Sequence, residues 1–366
     1  MISMYLDIWQ LLGGLIHWLL VDIIGAFVGW LGFHGLEAWL GSPGVLNFVT
    51  ILIVALIVFV VGMLVSITLI WQERKTLGRL MDRRGTQVGP IGLFQNFADA
   101  LKVLVKEHIV PEAADSLVYN LAPVVIIGTS LMMFVTLPYS PGFYVSNPQL
   151  GLLLTLALFG IVPFAVLLGG WASNNKYTLI GGMRAAAQII AYEVPLLLSV
   201  VGVVILTGSL NFFEIVQWQQ DNVWLIAPMI IGAFTFVISM VAELERVPFD
   251  LPEAEAELVE GWGTEYGGMR FGLIMMSEYA RGFVGSSIIT LVFLGGWDMP
   301  DFLNVIPVGL WFLLKVFMVF GIIIWVRGAL PRVRTDQILN LGWKRLLPLA
   351  AINIAIAIVF KTAGVF

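Results

Sequence analysis

Apolar residues are gathered into eight long runs, each bounded by charged or turn-forming residues. A helix needs about 20 apolar residues to cross the hydrocarbon core of a bilayer, and the runs have roughly that length. The pattern therefore predicts an all-α polytopic membrane protein with about eight transmembrane helices. The predicted spans are residues 45–71, 117–138, 150–171, 188–208, 223–241, 270–295, 302–326 and 345–360.

The connection after the first predicted span contains an amphipathic segment. In residues 93–107, apolar side chains recur at helical spacing and charged side chains occupy the other positions. This pattern predicts a helix that lies along the membrane surface. The charged residues of the segment are Asp99, Lys102, Lys106 and Glu107.

Residues 1–44 form a separate N-terminal segment ahead of the predicted membrane domain, 45–366. Within it, residues 15–36 are apolar but are interrupted by three polar positions, His17, Asp22 and His34. The pattern favours an interfacial amphipathic helix, and a ninth transmembrane span is the alternative.

The basic residues predict the orientation of the chain. Sixteen of the nineteen lysines and arginines lie in four of the connections between spans, and the connections that alternate with these contain none. Because positively charged loops stay on the cytoplasmic side, we expect the basic connections in the cytoplasm and both termini on the outer side. The basic connections are residues 74–106, 176–184, 246–270 and 327–345.

Composition narrows the possible functions. Hydrophobic residues make up 59% of the chain and charged residues 12%, whereas soluble domains carry roughly 25% charged residues. A disordered chain, a collagen, a disulfide scaffold and a nucleic-acid binder are therefore excluded. The chain has no cysteine and only three histidines, so no metal site is expected on it. Electrons for any redox chemistry must then come from another subunit.

The connection between Ala242 and Arg270 is strongly acidic. It carries eight acidic residues and two arginines, a net charge of −6 (eight minus two), where the whole chain has −5. It is also rich in proline, glycine and large apolar residues, so we expect it to pack against other parts of a protein. Clustered carboxylates in such a place repel one another, which raises their pKa values toward those of a proton carrier. An ordinary solvated loop is the alternative. The acidic residues are Glu243, Glu245, Asp250, Glu253, Glu255, Glu257, Glu260 and Glu265.

Four more ionisable residues lie within apolar runs. Glu193 begins a span, and its carboxylate could reach the membrane interface. Glu278 and Arg281 are three residues apart, close enough to pair on one helix face. Lys315 lies near the middle of the seventh span. Because a charge within the bilayer is costly, such residues face a protein interior or a wet cavity. Together with the acidic connection, they indicate a wet acidic path from the cytoplasmic side.

The polar connections contain motifs of a known family. In chain order these are ERKTLGRL, VGPIGLFQNFADALKVLVKE, GWASNNKYTLIGGMRAAAQIIAYEVP, PFDLPEAEAELVEGWGTEY, SEYARG and LPRVRTDQILNLGWKRLLP. With these motifs, the chain resembles the H-type membrane subunit of respiratory complex I, including archaeal relatives that oxidise a reduced deazaflavin. The resemblance runs from about residue 64 to residue 348.

The resemblance implies a role in a redox-driven proton pump. Family members form the membrane part of a chamber in which a lipid-soluble carrier, a quinone or methanophenazine, is reduced by an iron–sulfur cluster of a soluble partner. The resemblance assigns carrier contacts to Arg74, Arg79, Phe94, Arg246 and Asp250. It assigns Glu253, Glu255 and Glu257, with Asp250, to the acidic loop that borders the chamber. It assigns the start of the proton pathway to Glu193, Glu243 and Glu278.

The resemblance also implies partners and a location. No redox cofactor is expected on this chain itself. The expected partners are iron–sulfur and carrier-reducing subunits of a peripheral arm, small and antiporter-like membrane subunits, and lipids. The expected location is a prokaryotic cell membrane. An ion-translocating subunit of an energy-converting hydrogenase is an alternative, and so is a stand-alone ion or solute carrier, although no internal repeat of the transporter kind is found.

The chain departs from the family pattern near the carrier chamber. Residues 85–90 read GTQVGP where the family has GPNRVGP, and Glu245 stands before Arg246 where an asparagine is common. These differences leave the identity of the carrier open between ubiquinone, menaquinone and methanophenazine.

Overall fold

A computed structural model of the chain describes residues 8–25, 42–252, 255–299 and 307–364. These residues are mainly α-helical. The helices are α1 (Ile8–His17), α2 (Pro43–Leu80), α3 (Phe94–Val105), α4 (Ser116–Thr136), α5 (Gly151–Phe159), α6 (Val162–Ala172), α7 (Lys176–Thr207), α8 (Phe212–Asp221), α9 (Ile230–Glu243), α10 (Glu255–Leu258), α11 (Gly268–Phe293), α12 (Val308–Ala329), α13 (Thr335–Leu341) and α14 (Leu347–Thr362).

The predicted all-α polytopic membrane protein is confirmed. Each of the eight predicted spans overlaps a helix or a pair of consecutive helices, and residues 302–306 of the seventh span lie outside the described residues. In the described part of the chain, six helical segments are long and apolar enough to cross a membrane. The other two predicted spans correspond to α9, which is shorter, and to α11, which carries charged residues among its apolar ones.

Several helix ends differ from the predicted ones for local reasons. The span predicted at 188–208 begins earlier, at Lys176, because the Asn175 side chain caps the helix by accepting a hydrogen bond from the Tyr177 backbone N–H at 3.0 Å. The span predicted at 150–171 is interrupted between α5 and α6. Pro163 follows the interruption, and proline cannot supply the N–H that a continuous helix requires.

Helix α11 lies at the centre of the fold. Residues 279–293 are all buried, and the helix packs against α2, α4, α9 and α12. Protein therefore surrounds most of α11, and this explains how a transmembrane helix can carry Glu278 and Arg281.

The predicted surface helix is α3, which packs against α2 and α11. At the N-terminus, α1 continues as a π-helix, Trp18–Gly25, and α1 packs against α2. The rest of the segment predicted at 15–36 lies outside the described residues.

Candidate functional site

A buried ionic cluster joins α2, α11, α12 and the loop after α9. Arg246, which is 5% exposed, lies at its centre. Its Nη1 donates to Glu73 Oε2 at 2.8 Å, and its Nη2 lies 3.1 Å from Glu278 Oε1. Arg327 pairs with the other carboxylate oxygen of Glu73. One glutamate of the first span therefore links arginines from two other parts of the chain.

The cluster holds Arg246 in its charged form. Burial disfavours the charged guanidinium, but the carboxylates of Glu278 and Glu73 overcome this and raise its pKa above the ordinary value. The guanidinium carbon also lies 4.4 Å from the centre of the Tyr279 ring, a cation–π distance. Arg246 is therefore a fixed positive charge inside the protein.

A second ion pair lies beside this cluster. Arg281 Nη2 is 3.9 Å from Glu245 Oε2, and both side chains are buried. The pairing expected between Glu278 and Arg281 within one helix is therefore wrong, because each has a partner on the loop after α9. Glu245 adopts a backbone φ of +53°, and this turn brings Glu245 and Arg246 back against α11.

The Glu245 carboxyl group is expected to exchange a proton near neutral pH. Burial raises its pKa to about 7, and the Arg281 guanidinium opposes that shift. The neutral acid therefore predominates below about pH 7 and the carboxylate above it. Infrared spectra recorded between about pH 6 and 8 should lose a protonated-carboxyl band as the pH rises. The Glu245→Gln variant should lack that band, and an unchanged spectrum of the variant would contradict this assignment.

Two further glutamates, Glu243 and Glu193, join Glu278 and Glu245 in a row of four carboxyl groups. Glu243 is 2% exposed, and within the described part of the chain neither of its carboxyl oxygens has a hydrogen-bond partner. Glu193, Arg281 and Glu245 all lie within electrostatic range of it. Glu193 is half-buried and occupies the interruption between α5 and α6, where a Cβ added to Gly160 would lie 2.6 Å from Glu193 Oε1.

The acidic loop is divided between the interior and the surface. Asp250 is buried and accepts a hydrogen bond from Arg332 Nη2 at 2.9 Å. Burial raises the pKa of Asp250, and Arg332 opposes the shift. Glu257 is exposed and pairs with Arg184 at 2.6 Å. Glu253 and the Glu255 side chain lie outside the described residues.

A buried amide holds the loop against the membrane domain. Gln188 of α7 donates from Nε2 to the carbonyl oxygens of Ala242 at 3.0 Å and Phe249 at 2.7 Å. Both ends of the turn that carries Glu245 and Arg246 are thereby fixed to α7.

Two cavities share Arg74, and the second of them adjoins the ionic cluster. The first, of about 150 Å³, is apolar and lies between α2, α3 and α11, with Met63, Met269, Met275 and Met276 in its wall. The second, of about 690 Å³, is polar and is lined by Glu73, Arg83, Tyr279 and Arg327 among others. Arg74 pairs with Asp99 of α3 where these spaces meet.

Of the five predicted carrier contacts, Arg74 lines both cavities, and neither lining includes Arg79, Phe94, Arg246 or Asp250. Arg79 lines a neighbouring cavity of about 620 Å³ together with Lys75, Arg83 and Arg84. Phe94 is 54% exposed and lies against Gly89, where an added Cβ would be 2.1 Å from its ring. Both residues belong to the basic connection but not to the space beside Arg246.

The sequence patterns miss several residues of the cluster. For Glu73, the patterns indicate only a charge at the membrane edge. For Arg327 and Arg332, they indicate only that each lies in a basic connection. Tyr279 gives no signal, because one aromatic residue in an apolar run is ordinary. Glu245 stands out in the sequence as a departure from the family motif, and that departure is the sequence signal that could have drawn attention to it.

Comparison with known proteins points to one family. Residues 52–358 match the family described as NADH dehydrogenase. The chain is 49% identical over 291 residues to proteins named as the H subunit of NADH-quinone oxidoreductase from Bacillus thuringiensis (strain Al Hakam), Bacillus cereus (strain AH187) and Bacillus anthracis (strain CDC 684 / NRRL 3495). Each alignment covers 79% of this chain and 87% of the relative.

Proposed function

Since this chain belongs to the NADH dehydrogenase family, together with the H subunits of NADH-quinone oxidoreductase, we propose that it has two tasks in such a complex. It forms the membrane wall of the chamber in which a lipid-soluble quinone is reduced, and it begins the pathway of the pumped protons. The names of the relatives favour this function over a hydrogenase subunit or a stand-alone carrier.

The proposal depends above all on the apolar cavity meeting, at Arg74, the polar cavity that is lined by Glu73 and Arg327 of the ionic cluster. A quinone with an apolar tail suits a cavity with four methionines in its wall, because methionine adapts to irregular apolar shapes. At the polar end, the Arg74 guanidinium, paired with Asp99, supplies a hydrogen-bond donor for a ring carbonyl. The larger cavity beyond Arg74 leads to Glu73 and Tyr279. A quinone ring could thus move from the lipid side toward the charge cluster.

Reduction of a quinone to a quinol takes up two electrons and two protons. This chain offers no thiolate ligands, so the electrons come from an iron–sulfur cluster of a partner subunit. Negative charge that develops on the ring is attracted by the fixed charge of Arg246, and this weakens the hold of Arg246 on Glu73 and Glu278. The proton affinities of the neighbouring carboxyl groups then change, which links the redox step to proton transfer.

The carboxyl groups form a continuous route for the protons. Glu278, beside Arg246, lies within electrostatic range of both Asp250 and Glu245. Glu245 and Glu193 in turn lie within electrostatic range of Glu243. Glu193 is half-buried at the side of the chain, where a neighbouring membrane subunit could receive the proton.

The partners and the location follow from this function. The polar cavity and the basic connections face the peripheral-arm subunits that deliver electrons, on the cytoplasmic side of a prokaryotic cell membrane. The side that carries Glu193 faces small and antiporter-like membrane subunits.

Filling the apolar cavity is expected to impair quinone binding. Ala100 of α3 lines it, so the Ala100→Phe variant should raise the KM for a long-tailed quinone about tenfold, ~1.4 kcal/mol, with a smaller effect on kcat. Ala98→Phe is the matched control, because Ala98 is an exposed alanine of the same helix and is not among the lining residues of this cavity. Equal KM values for wild type and Ala100→Phe would contradict the proposed quinone site.

A further inference from the structure

A buried lysine closes the end of α11 that is farthest from the carboxyl groups. Lys315 of α12 is 6% exposed. Its Nζ donates to three backbone carbonyl oxygens, those of Leu294 (2.8 Å), Gly296 (3.0 Å) and Asp298 (2.8 Å). Glu278 and Leu294 are sixteen residues apart, about 24 Å along a helix. The ammonium group therefore lies most of a membrane thickness from the ionic cluster.

The surroundings of Lys315 fix its ammonium group in place, and the Asp298 carboxylate is a counter-charge within electrostatic range of it. Its Nζ lies 4.4 Å from the centre of the Trp224 ring and 5.6 Å from that of Trp311. Both indole N–H groups donate to Asp298, from Trp224 to Oδ2 at 2.7 Å and from Trp311 to the carbonyl oxygen at 2.9 Å. Carbonyl oxygens at the end of a helix and aromatic faces both stabilise a positive charge.

Buried hydroxyl groups lie between the carboxyl groups and this cation. On α9, Ser239 and Thr235 precede Glu243 at steps of four residues, and on α11 Ser286 and Thr290 are also four apart. All four hydroxyl residues are 0% exposed. Residues four apart lie on successive turns of one helix side. The Thr235, Ser286 and Thr290 hydroxyl groups donate to carbonyl oxygens of their own helices, and their oxygen atoms can in addition accept hydrogen bonds. The polar interior therefore extends past the carboxyl groups toward Lys315.

The two sets of hydroxyl groups share one interior, because α9, α11 and α12 approach closely. A Cβ added to Gly285 of α11 would lie 2.8 Å from Met240 Sδ on α9. A Cβ added to Gly282 of α11 would lie 2.9 Å from Phe320 Cε2 on α12, the helix that carries Lys315.

We propose that Lys315 is an electrostatic barrier that keeps protons on the row of carboxyl groups from leaving through the far end of α11. This inference rests on the proposed function, since a proton pathway inside the protein must be closed on one side to sustain a gradient. A fixed cation in a medium of low dielectric strongly disfavours a second positive charge nearby. Positive groups act in the same way where channels exclude protons.

The test is the passive proton leak of vesicles that contain the assembled complex, under an imposed pH gradient and without an electron donor. Lys315→Met is expected to raise the leak rate about tenfold over wild type, because it removes the charge and keeps an unbranched side chain only one atom shorter. Lys315→Arg, which keeps the charge, should stay close to wild type. Lys361→Met is the matched control, since Lys361 also donates to a backbone carbonyl, that of Ile205 at 2.5 Å, but on the exposed surface.

A double variant shows whether the leaking protons pass along the row of carboxyl groups. Adding Glu243→Gln to Lys315→Met should return the leak to the wild-type rate. An assembled Lys315→Met complex with no extra leak would overturn the barrier, and so would a leak that persists in the double variant. If Lys315→Met does not assemble, Lys315→Gln undergoes the same test, because its amide N–H groups can still reach the carbonyl oxygens.

Pumping by the wild-type complex in the same vesicles separates this inference from the proposed function. If the wild-type complex pumps protons and the Lys315→Met complex shows no extra proton leak, only the proposed barrier is overturned. A wild-type complex that reduces quinone without moving protons would overturn the proposed function and this inference with it.

Discussion

Replacement of Glu73 with glutamine is expected to lower quinone reduction by the assembled complex at least about a hundredfold. Glu73 is 3% exposed and pairs with both Arg246 and Arg327. The neutral amide leaves Arg246 with Glu278 alone, so the guanidinium that attracts the reduced ring is held on one side only. Removing one partner of a buried ion pair typically costs about 3–5 kcal/mol of folding stability. The measurement is the rate of quinone reduction per assembled complex, with assembly checked by the amounts of the partner subunits.

A second substitution should partly restore the Glu73→Gln variant. In Glu73→Gln/Arg327→Gln, one positive charge is removed along with the negative one, so the net charge of the cluster returns to its original value. We expect this double variant to recover at least about tenfold in rate. Glu107→Gln is the control, because Glu107 is an exposed carboxylate at the end of α3. Wild-type activity in Glu73→Gln would contradict the role given to the cluster.

The places of the apolar helices can be predicted from the sequence because hydrophobicity is a local property. Even α11 is predicted, although Glu278 and Arg281 interrupt its apolar pattern. The helix ends are predicted less well, because they depend on capping groups such as Asn175 and on backbone interruptions such as the one before Pro163.

The ion pairs cannot be predicted, because they join residues that are distant in the chain. Glu73 and Arg246 are 173 residues apart, and Glu73 and Arg327 are 254 apart. A rule for neighbours on one helix instead favours Glu278 with Arg281, and the turn at Glu245 makes that expectation wrong.

The acidic loop shows what composition can and cannot predict about a site. Its carboxylates are recognised together, but composition cannot tell which ones are buried. The structure places Asp250 in the interior beside Arg332 and Glu257 on the surface beside Arg184. The difference arises from packing, since Gln188 fixes the part of the loop nearest α9.

Replacement of Glu243 with glutamine is expected to impair proton pumping much more than assembly. Glutamine has nearly the same shape as glutamate but cannot carry the proton onward. Glu243 lies between Glu245 and Glu193 in the row of carboxyl groups, so its loss interrupts the route in the middle. Its carboxyl oxygens have no hydrogen-bond partner in the described part of the chain, so the substitution breaks no hydrogen bond described there. Glu193→Gln should act in the same direction.

A surface variant shows whether the loss of pumping is specific to Glu243. Glu214 is an exposed carboxylate in the first turn of α8 and lies outside the row. Glu214→Gln should assemble, reduce quinone and pump protons as the wild type does. If Glu214→Gln lost pumping to the same extent as Glu243→Gln, the loss would reflect a general effect of removing carboxylates.

The most direct test of the coupling between quinone reduction and the carboxyl row is the number of protons moved per electron, measured in vesicles that contain the assembled complex. Proton movement and quinone reduction are recorded in the same sample for the wild type, Glu243→Gln and Glu214→Gln. We expect equal ratios for the wild type and Glu214→Gln and a clearly lower ratio for Glu243→Gln. A wild-type ratio in Glu243→Gln would show that protons do not pass through this row of carboxyl groups.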